Sequence, residues 1–359
     1  LAKPTIDHRG PAFGELGREV LAGIKRIFQT EHPVVIYPAS GTGAWEAALV
    51  NTLSPGDKVL MVETGQFATL WREMAERLDL KPEFISGDWR RGVLPDQVEE
   101  KLRADTAGEY KAVCIVHNET STGSTSRVQE VRQAIDAAGH PALFMVDTIS
   151  GLASMDYRHD EWGADVTVSG SQKGLMLPPG ISFNALSPRA LEARKSAGYT
   201  VSYWDWEAMV AMNETGYFPY TPNTNLLYGL KEAIDMLEEE TLPEVFARHA
   251  RLAEAARRCV RAWGLEVLCQ EERDYSNVLT AVLMPEGHDA DAFRATVLER
   301  FDMSLGNGLG KVKGKVKVKE MGKVKGKGKE IGREMGTDRG KEKDQEKGKD
   351  CLLYTSPSP

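Results

Sequence analysis

The sequence predicts an α/β protein whose larger part is a mostly parallel sheet covered by helices on both faces. Three observations lead there. Short apolar runs rich in β-branched residues recur without polar alternation, as strands buried on both faces do. Most are separated by segments with apolar residues at helical spacing, the rhythm of βα units. Finally, the acidic body of roughly 310 residues is long enough to bury a core of its own, so it needs no disulfides or metal to hold it.

In chain order, VVIY (34–37), KVLMV (58–62), KAVCIV (111–116), ALFMV (142–146), DVTVS (165–169) and ISFNAL (181–186) read as strands. TLWREMAERL (69–78), LPDQVEEKLRA (94–104) and RVQEVRQAIDAA (127–138) read as the helices between them. After about residue 225 the rhythm changes to two long amphipathic helices, 226–240 and 242–263. The strands LEVLC and VLTAVLM and the helix DADAFRATVLERF follow, a smaller α+β pattern. The expected organisation is a large domain over 1–225, a small one over 226–316 and a tail over 317–359.

Charge separates the tail from the body. The chain has 45 Lys and Arg against 53 Asp and Glu, a net −8, but residues 311–350 carry 15 basic and 8 acidic residues, leaving −15 on the rest. The stretch KVKGKVKVKEMGKVKGKGKE has no aromatic residue and cannot build a core. Residues after Val316 are expected to be disordered and non-native: the stretch can be written in purine-rich codons, and the ending CLLYTSPSP resembles translated adapter sequence. Such a basic stretch otherwise reads as a solvated arm or as a contact for nucleic acid or another anionic surface, and with a non-native tail neither nucleic acid nor a membrane is expected as a partner. Four widely spaced cysteines without a CxxC pair argue against a disulfide framework or zinc site and fit a reducing, cytoplasmic setting. No apolar stretch approaches membrane-spanning length.

Two residues carry the chemistry. Asp147 follows the apolar strand ALFMV, where open α/β sheets place their ligands; on position alone a helix cap is an equal reading. Lys173 lies 26 residues on, after another apolar strand, among Ser169, Gly170, Ser171, Gln172 and Gly174. Such a small-residue setting suits an amine held in a dry, close-packed site. An amine and a carboxylate at neighbouring strand ends are what pyridoxal 5'-phosphate chemistry needs: a lysine to condense with the cofactor's aldehyde and an acid to pair with its protonated ring nitrogen. Ser40-Gly41-Thr42-Gly43, between a strand and a helix, offers backbone N–H groups and a helix N-terminus for the phosphate. A dinucleotide fingerprint is the rival reading of this loop, but Glu46 stands where the third glycine belongs and no Walker lysine follows.

From about Thr5 to Val316 the chain resembles the class V, fold-type I pyridoxal-phosphate aminotransferases, most closely the bacterial serine–glyoxylate enzymes related to alanine–glyoxylate aminotransferase. The resemblance rests on TIDHRGP, PASGTGAWEAAL, HNETSTG, MVDTISGLASMD, VSGSQKGLMLPPG, YTPNTNLLYGL and LGNGLGKVKGKV. It implies that Lys173 is the cofactor lysine, that Asp147 partners the ring nitrogen, and that Ser40, Gly41 and Thr42 hold phosphate. It further implies that Phe67 stacks on the cofactor, a residue that otherwise reads as a core aromatic opening a helix. Thr120 and Gln172 would reach its ring oxygen or phosphate. Tyr220 and Thr221 would touch the phosphate of the neighbouring subunit, making the protein a homodimer with shared sites.

The activity implied is amino transfer from a small amino acid, serine first, to glyoxylate. Alanine or another small amino acid as donor, or a chain that binds the cofactor without turnover, are the alternatives. A cysteine desulfurase would need a mobile thiol late in the chain, and Cys269 at the end of a buried strand is a poor one. Two departures from the family pattern stand out. A Pro/Gly-rich segment usually precedes Thr5. Lys317-Val318-Lys319 also stands where an arginine-containing strand usually follows Gly314-Lys315-Val316, and a lysine does not replace bidentate arginine.

Overall fold

A computed structural model describes residues 3–313 and 316–319 of the chain. Helix α1 (Pro11–Phe28) leads into β1 (Val34–Tyr37), α2 (Gly41–Thr52), β2 (Lys58–Val62), α3 (Gln66–Arg77), β3 (Lys81–Ile85), α4 (Pro95–Ala104) and β4 (Tyr110–Val116). A two-stranded hairpin, β5 (Asn118–Glu119) and β6 (Ser124–Thr125), precedes α5 (Val128–Ala138), β7 (Leu143–Asp147), β8 (Val166–Gly170), β9 (Ser182–Leu186), α6 (Pro188–Arg194) and α7 (Trp206–Asn213).

Seven strands form one sheet in the order β1-β9-β8-β7-β4-β2-β3. All neighbouring pairs among β3, β2, β4, β7 and β8 are parallel, and β9 runs antiparallel to both β8 and β1. The expected mostly parallel sheet is therefore present, with all six strands expected of the larger part in it. The absence of alternation is explained by two cores. Phe13, Val20, Ile24, Val98, Val131 and Ile135 pack on one face, and Trp45, Leu49, Trp71, Ala190, Trp206 and Met209 on the other. Parallel connections put the carboxyl ends of β2, β4, β7 and β8 along one edge, and the site lies there.

Several elements were not expected from the sequence, β3 and α1 among them. Edge strand β3, KPEFI, carries Pro82 and has no fully buried residue, so it shows no continuous apolar run. Helix α1 has a strong apolar face, but Gly14, Gly17 and Gly23 interrupt its pattern. Gly17 is required by close approach, since a Cβ there would overlap the carbonyl of Gly216.

Beyond the sheet come α8 (Thr224–Glu240) and α9 (Leu242–Ala262), then β10 (Glu266–Val267), β11 (Leu279–Leu283), α10 (Ala290–Phe301), β12 (Gly306–Asn307) and β13 (Val316–Lys319). The four strands make an antiparallel sheet in the order β10-β11-β13-β12. Lys317, Val318 and Lys319, expected to begin a disordered tail, instead pair as strand with β11. The alternating Val-Lys-Val-Lys has the period of a strand, a local signal that composition alone hides. Residues 320–359, and the expectations that fall on them, lie outside the described residues.

Candidate active site

Asp147 is the last residue of β7 and is buried. Its backbone is locked between β4 and β8, opposite Val116 and Val168. The Ile149 N–H donates to its Oδ1 at 2.7 Å, and the indole N–H of Trp45 donates to its Oδ2 at 2.9 Å. Lys173 lies in the turn after β8, five positions beyond the residue opposite Asp147. Burial lowers its pKa to about 8, and Asp147 acts in the opposite sense. Burial pushes the Asp147 carboxyl up to about 7 against its two donors, with Glu119 adding to the rise and Lys173 opposing it. Two ionisable groups displaced towards each other at neighbouring strand ends form a site at which a proton can be exchanged near neutral pH.

That displacement has a cost in stability. The folded pKa of Asp147 lies above its unfolded value, so its contribution to the cofactor-free protein declines as pH rises from about 4 to about 7. Asp147→Asn cannot ionise, and is expected to stabilise the cofactor-free protein by about 2–4 kcal/mol at pH 8 but by less than about 1 kcal/mol at pH 4. Urea unfolding at the two pH values measures this. An equal gain at both would mean that Asp147 is not held out of its ordinary range.

Ser40, Gly41 and Thr42 open α2. Ser40 makes no side-chain cap, Ser40 and Thr42 are exposed, and the first turn of a helix leaves its N–H groups pointing outwards. A Cβ on Gly41 would overlap the side chain of Ile149, so the helix start can sit against the Asp147 turn only with glycine there. Gln172 Oε1 is buried without a hydrogen-bond partner among the described residues. It faces the space above Gly170, where Gly41 N also borders. A helix N-terminus for a dianion, an orphaned amide oxygen and a buried carboxyl in need of a cationic partner fit pyridoxal phosphate.

Phe67 is the second residue of α3 and half-buried, its ring 6.5 Å from that of Trp45. Thr120 is half-buried in the turn between β5 and β6. Tyr220 donates its hydroxyl to the Ser202 carbonyl at 2.8 Å and packs 5.0 Å from the ring of Tyr203. Tyr203 in turn meets Trp204, which closes over Gly43 in the first turn of α2. Thr221 follows, exposed. The structure thus brings together the Ser40-Gly41-Thr42 helix start, Asp147, Gln172 and Lys173, and reaches Phe67 through Trp45 and Tyr220 through Tyr203 and Trp204.

Two site residues escaped sequence reasoning. Trp45 donates to Asp147 across 102 positions, and no spacing rule reports such a bond. Glu119 is fully buried and accepts from the Phe67 and Ala68 N–H groups at 3.1 and 3.2 Å, anchoring the start of α3. Its signal was its place beside Thr120 in HNETSTG. Burial pushes the Cys269 thiol up to about 12, away from the thiolate form a nucleophile needs. No His/Cys/Asp/Glu cluster among the described residues could hold a metal, and no helix among them is long and apolar enough to cross a membrane.

A mostly parallel seven-stranded sheet of this kind is shared with solved fold-type I pyridoxal-phosphate aminotransferases. Residues 4–308 match the aminotransferase class-V family. The serine–glyoxylate aminotransferase of Methylorubrum extorquens is 46% identical over 312 residues, covering 85% of this chain and 78% of that protein. The L-aspartate–glyoxylate aminotransferase of Paracoccus denitrificans is 44% identical over 310 residues, covering 86% and 78%. The crystal structure of an alanine–glyoxylate aminotransferase from Nostoc sp. superposes with a TM-score of 0.81 at 30% identity, covering 89% of this chain and 85% of that one. The chain belongs to the class-V aminotransferase family and is a pyridoxal-phosphate-dependent aminotransferase.

Proposed function

We propose that this enzyme transfers the amino group of serine to glyoxylate, yielding hydroxypyruvate and glycine. The observation that carries the reading is the pairing of buried Asp147 with Lys173, whose pKa is lowered to about 8, beside the open N-terminus of α2. Serine is favoured as donor by the 46% identity to the Methylorubrum enzyme named for it, and glyoxylate by its place in both relatives' names.

Pyridoxal phosphate, when bound, supplies the electron sink for the pair left at the amino acid's α-carbon. Lys173 would hold it through Nζ, Asp147 through the ring nitrogen, Ser40, Gly41 and Thr42 through the phosphate, and Phe67 by stacking. Thr120 and Gln172 would complete the polar contacts. A cationic partner returns the Asp147 carboxyl to its ionised form, the state its two donors are placed to serve. Lys173 Nζ, with a pKa near 8, is neutral in a useful fraction at neutral to alkaline pH; it takes the proton from the donor's α-carbon and returns it later in the transfer. The burial of both groups keeps water from competing for that proton.

A second reading, with aspartate or alanine as donor, is supported by the Paracoccus and Nostoc proteins. The reading includes a cytoplasmic homodimer in which Tyr220 and Thr221 reach the neighbouring subunit's phosphate site. Exposed Thr221 beside a Pro-broken turn suits that contact.

Purified protein loaded with pyridoxal phosphate and given glyoxylate with serine, alanine or aspartate separates these readings by glycine formed. Serine is expected to lead in kcat/KM by about 10-fold or more, the discrimination one added polar contact supplies. A faster rate with aspartate or alanine would replace the donor. Visible cofactor absorbance with no glycine from any donor would leave a binding chain without turnover.

A further inference from the structure

Both donors to Asp147 come from segments that meet at the cofactor cradle. Trp45 sits in the second turn of α2, the helix that Ser40, Gly41 and Thr42 open. Ile149 packs its side chain on Gly41 and gives its N–H to Asp147 Oδ1. The Trp45 indole is buried and fixed from the far side, stacked on Trp71 with centroids 5.8 Å apart and planes at 12°. Its N–H therefore has one direction to point, and Asp147 Oδ2 lies there at 2.9 Å. A carboxylate with one donor on each oxygen is held in a single rotation, and a donor to a charged acceptor is stronger than one to a neutral group.

We propose that Trp45 is a positioning residue: its indole N–H orients and stabilises the Asp147 carboxylate towards the cofactor's ring nitrogen, and so ties ring recognition to the helix that cradles the phosphate. The inference rests on the assignment of Asp147 to the ring nitrogen.

The molecule supplies its own control. Trp71 is buried in the same stack, but its Nε1 donates to nothing among the described residues. Removing the N–H from Trp45 should matter, and removing it from Trp71 should not.

The test measures cofactor affinity of the full chain by quenching of intrinsic fluorescence, for pyridoxal phosphate and for its 1-deaza analogue, in which carbon replaces the ring nitrogen. Trp45→Phe is expected to weaken pyridoxal phosphate about 10-fold or more, as loss of a donor to a charged acceptor does, while changing affinity for the analogue by less than about 3-fold. Trp71→Phe is expected to leave both within about 3-fold. Replacing the Trp45 indole by benzothiophene, which puts sulfur where the N–H stands and keeps the shape, is expected to reproduce the Trp45→Phe result, so a packing defect cannot imitate it.

Equal weakening of both ligands in the benzothiophene variant, or no weakening of either, would overturn the proposal. Asp147→Asn separates the two levels. If it also fails to discriminate the two ligands, the Asp147 assignment is wrong. If it discriminates while the Trp45 variants do not, only the role of Trp45 falls.

Discussion

Lys173→Ala is expected to lower kcat for serine and glyoxylate by about 10⁴-fold or more, the upper end of what one positioned proton-transfer group contributes. Two losses combine in it: the amine that holds the cofactor and the base that serves the donor's α-carbon. The fold should survive, because Lys173 lies in a turn after β8 and contributes nothing to either hydrophobic core. Lys173→Arg should fail as badly, since a guanidinium keeps the charge but does not release a proton near neutral pH. A small primary amine added to Lys173→Ala is expected to restore part of the rate, because it supplies the missing base without the tether. The check is steady-state glycine formation alongside thermal unfolding. Activity within about 10-fold of the unaltered enzyme would remove Lys173 from the chemistry.

Asp147→Asn is expected to lower kcat by about 10²–10⁴-fold, or about 3–5.5 kcal/mol at about 1.4 kcal/mol per decade, while the protein still binds the cofactor more weakly. A neutral amide has one acceptor oxygen, so it accepts from Trp45 or from Ile149 but not from both, and it cannot hold a proton on the ring nitrogen. The same substitution is expected to make the cofactor-free protein more stable at pH 8. Lower activity with higher stability would mark a buried charge kept for function rather than for folding. Asp147→Glu, which keeps the charge but moves it by a methylene, should fall between the two.

The legibility of this molecule follows burial. Strands β1, β2, β4, β7, β8 and β9 could be read because both faces are buried, so apart from Lys58, Lys111, Asp147 and Asn184 their positions are apolar or small. Edge strand β3 could not, because half-exposure and Pro82 erase the run, and α1 was missed because three glycines break its stripe. Asp147 and Lys173 could be found because strand ends and small-residue turns are local features. The roles given to Phe67, Thr120, Tyr220 and Thr221 came from family likeness alone. Trp45 could not be assigned from sequence, since its N–H is directed by a stack on Trp71 and a partner 102 residues away. The strand at Val316–Lys319 carried its own alternation, but composition outweighed it.

The most direct test is covalent mapping of the cofactor. The full chain is loaded with pyridoxal 5'-phosphate, reduced with borohydride, digested, and its labelled peptide identified by mass spectrometry. The label is expected on Lys173 alone, within the segment Gly170–Gly180, and absent from Lys173→Ala. A label on any other lysine, or none on a protein that binds the cofactor, would contradict the assignment of this strand-end lysine and the site built around it.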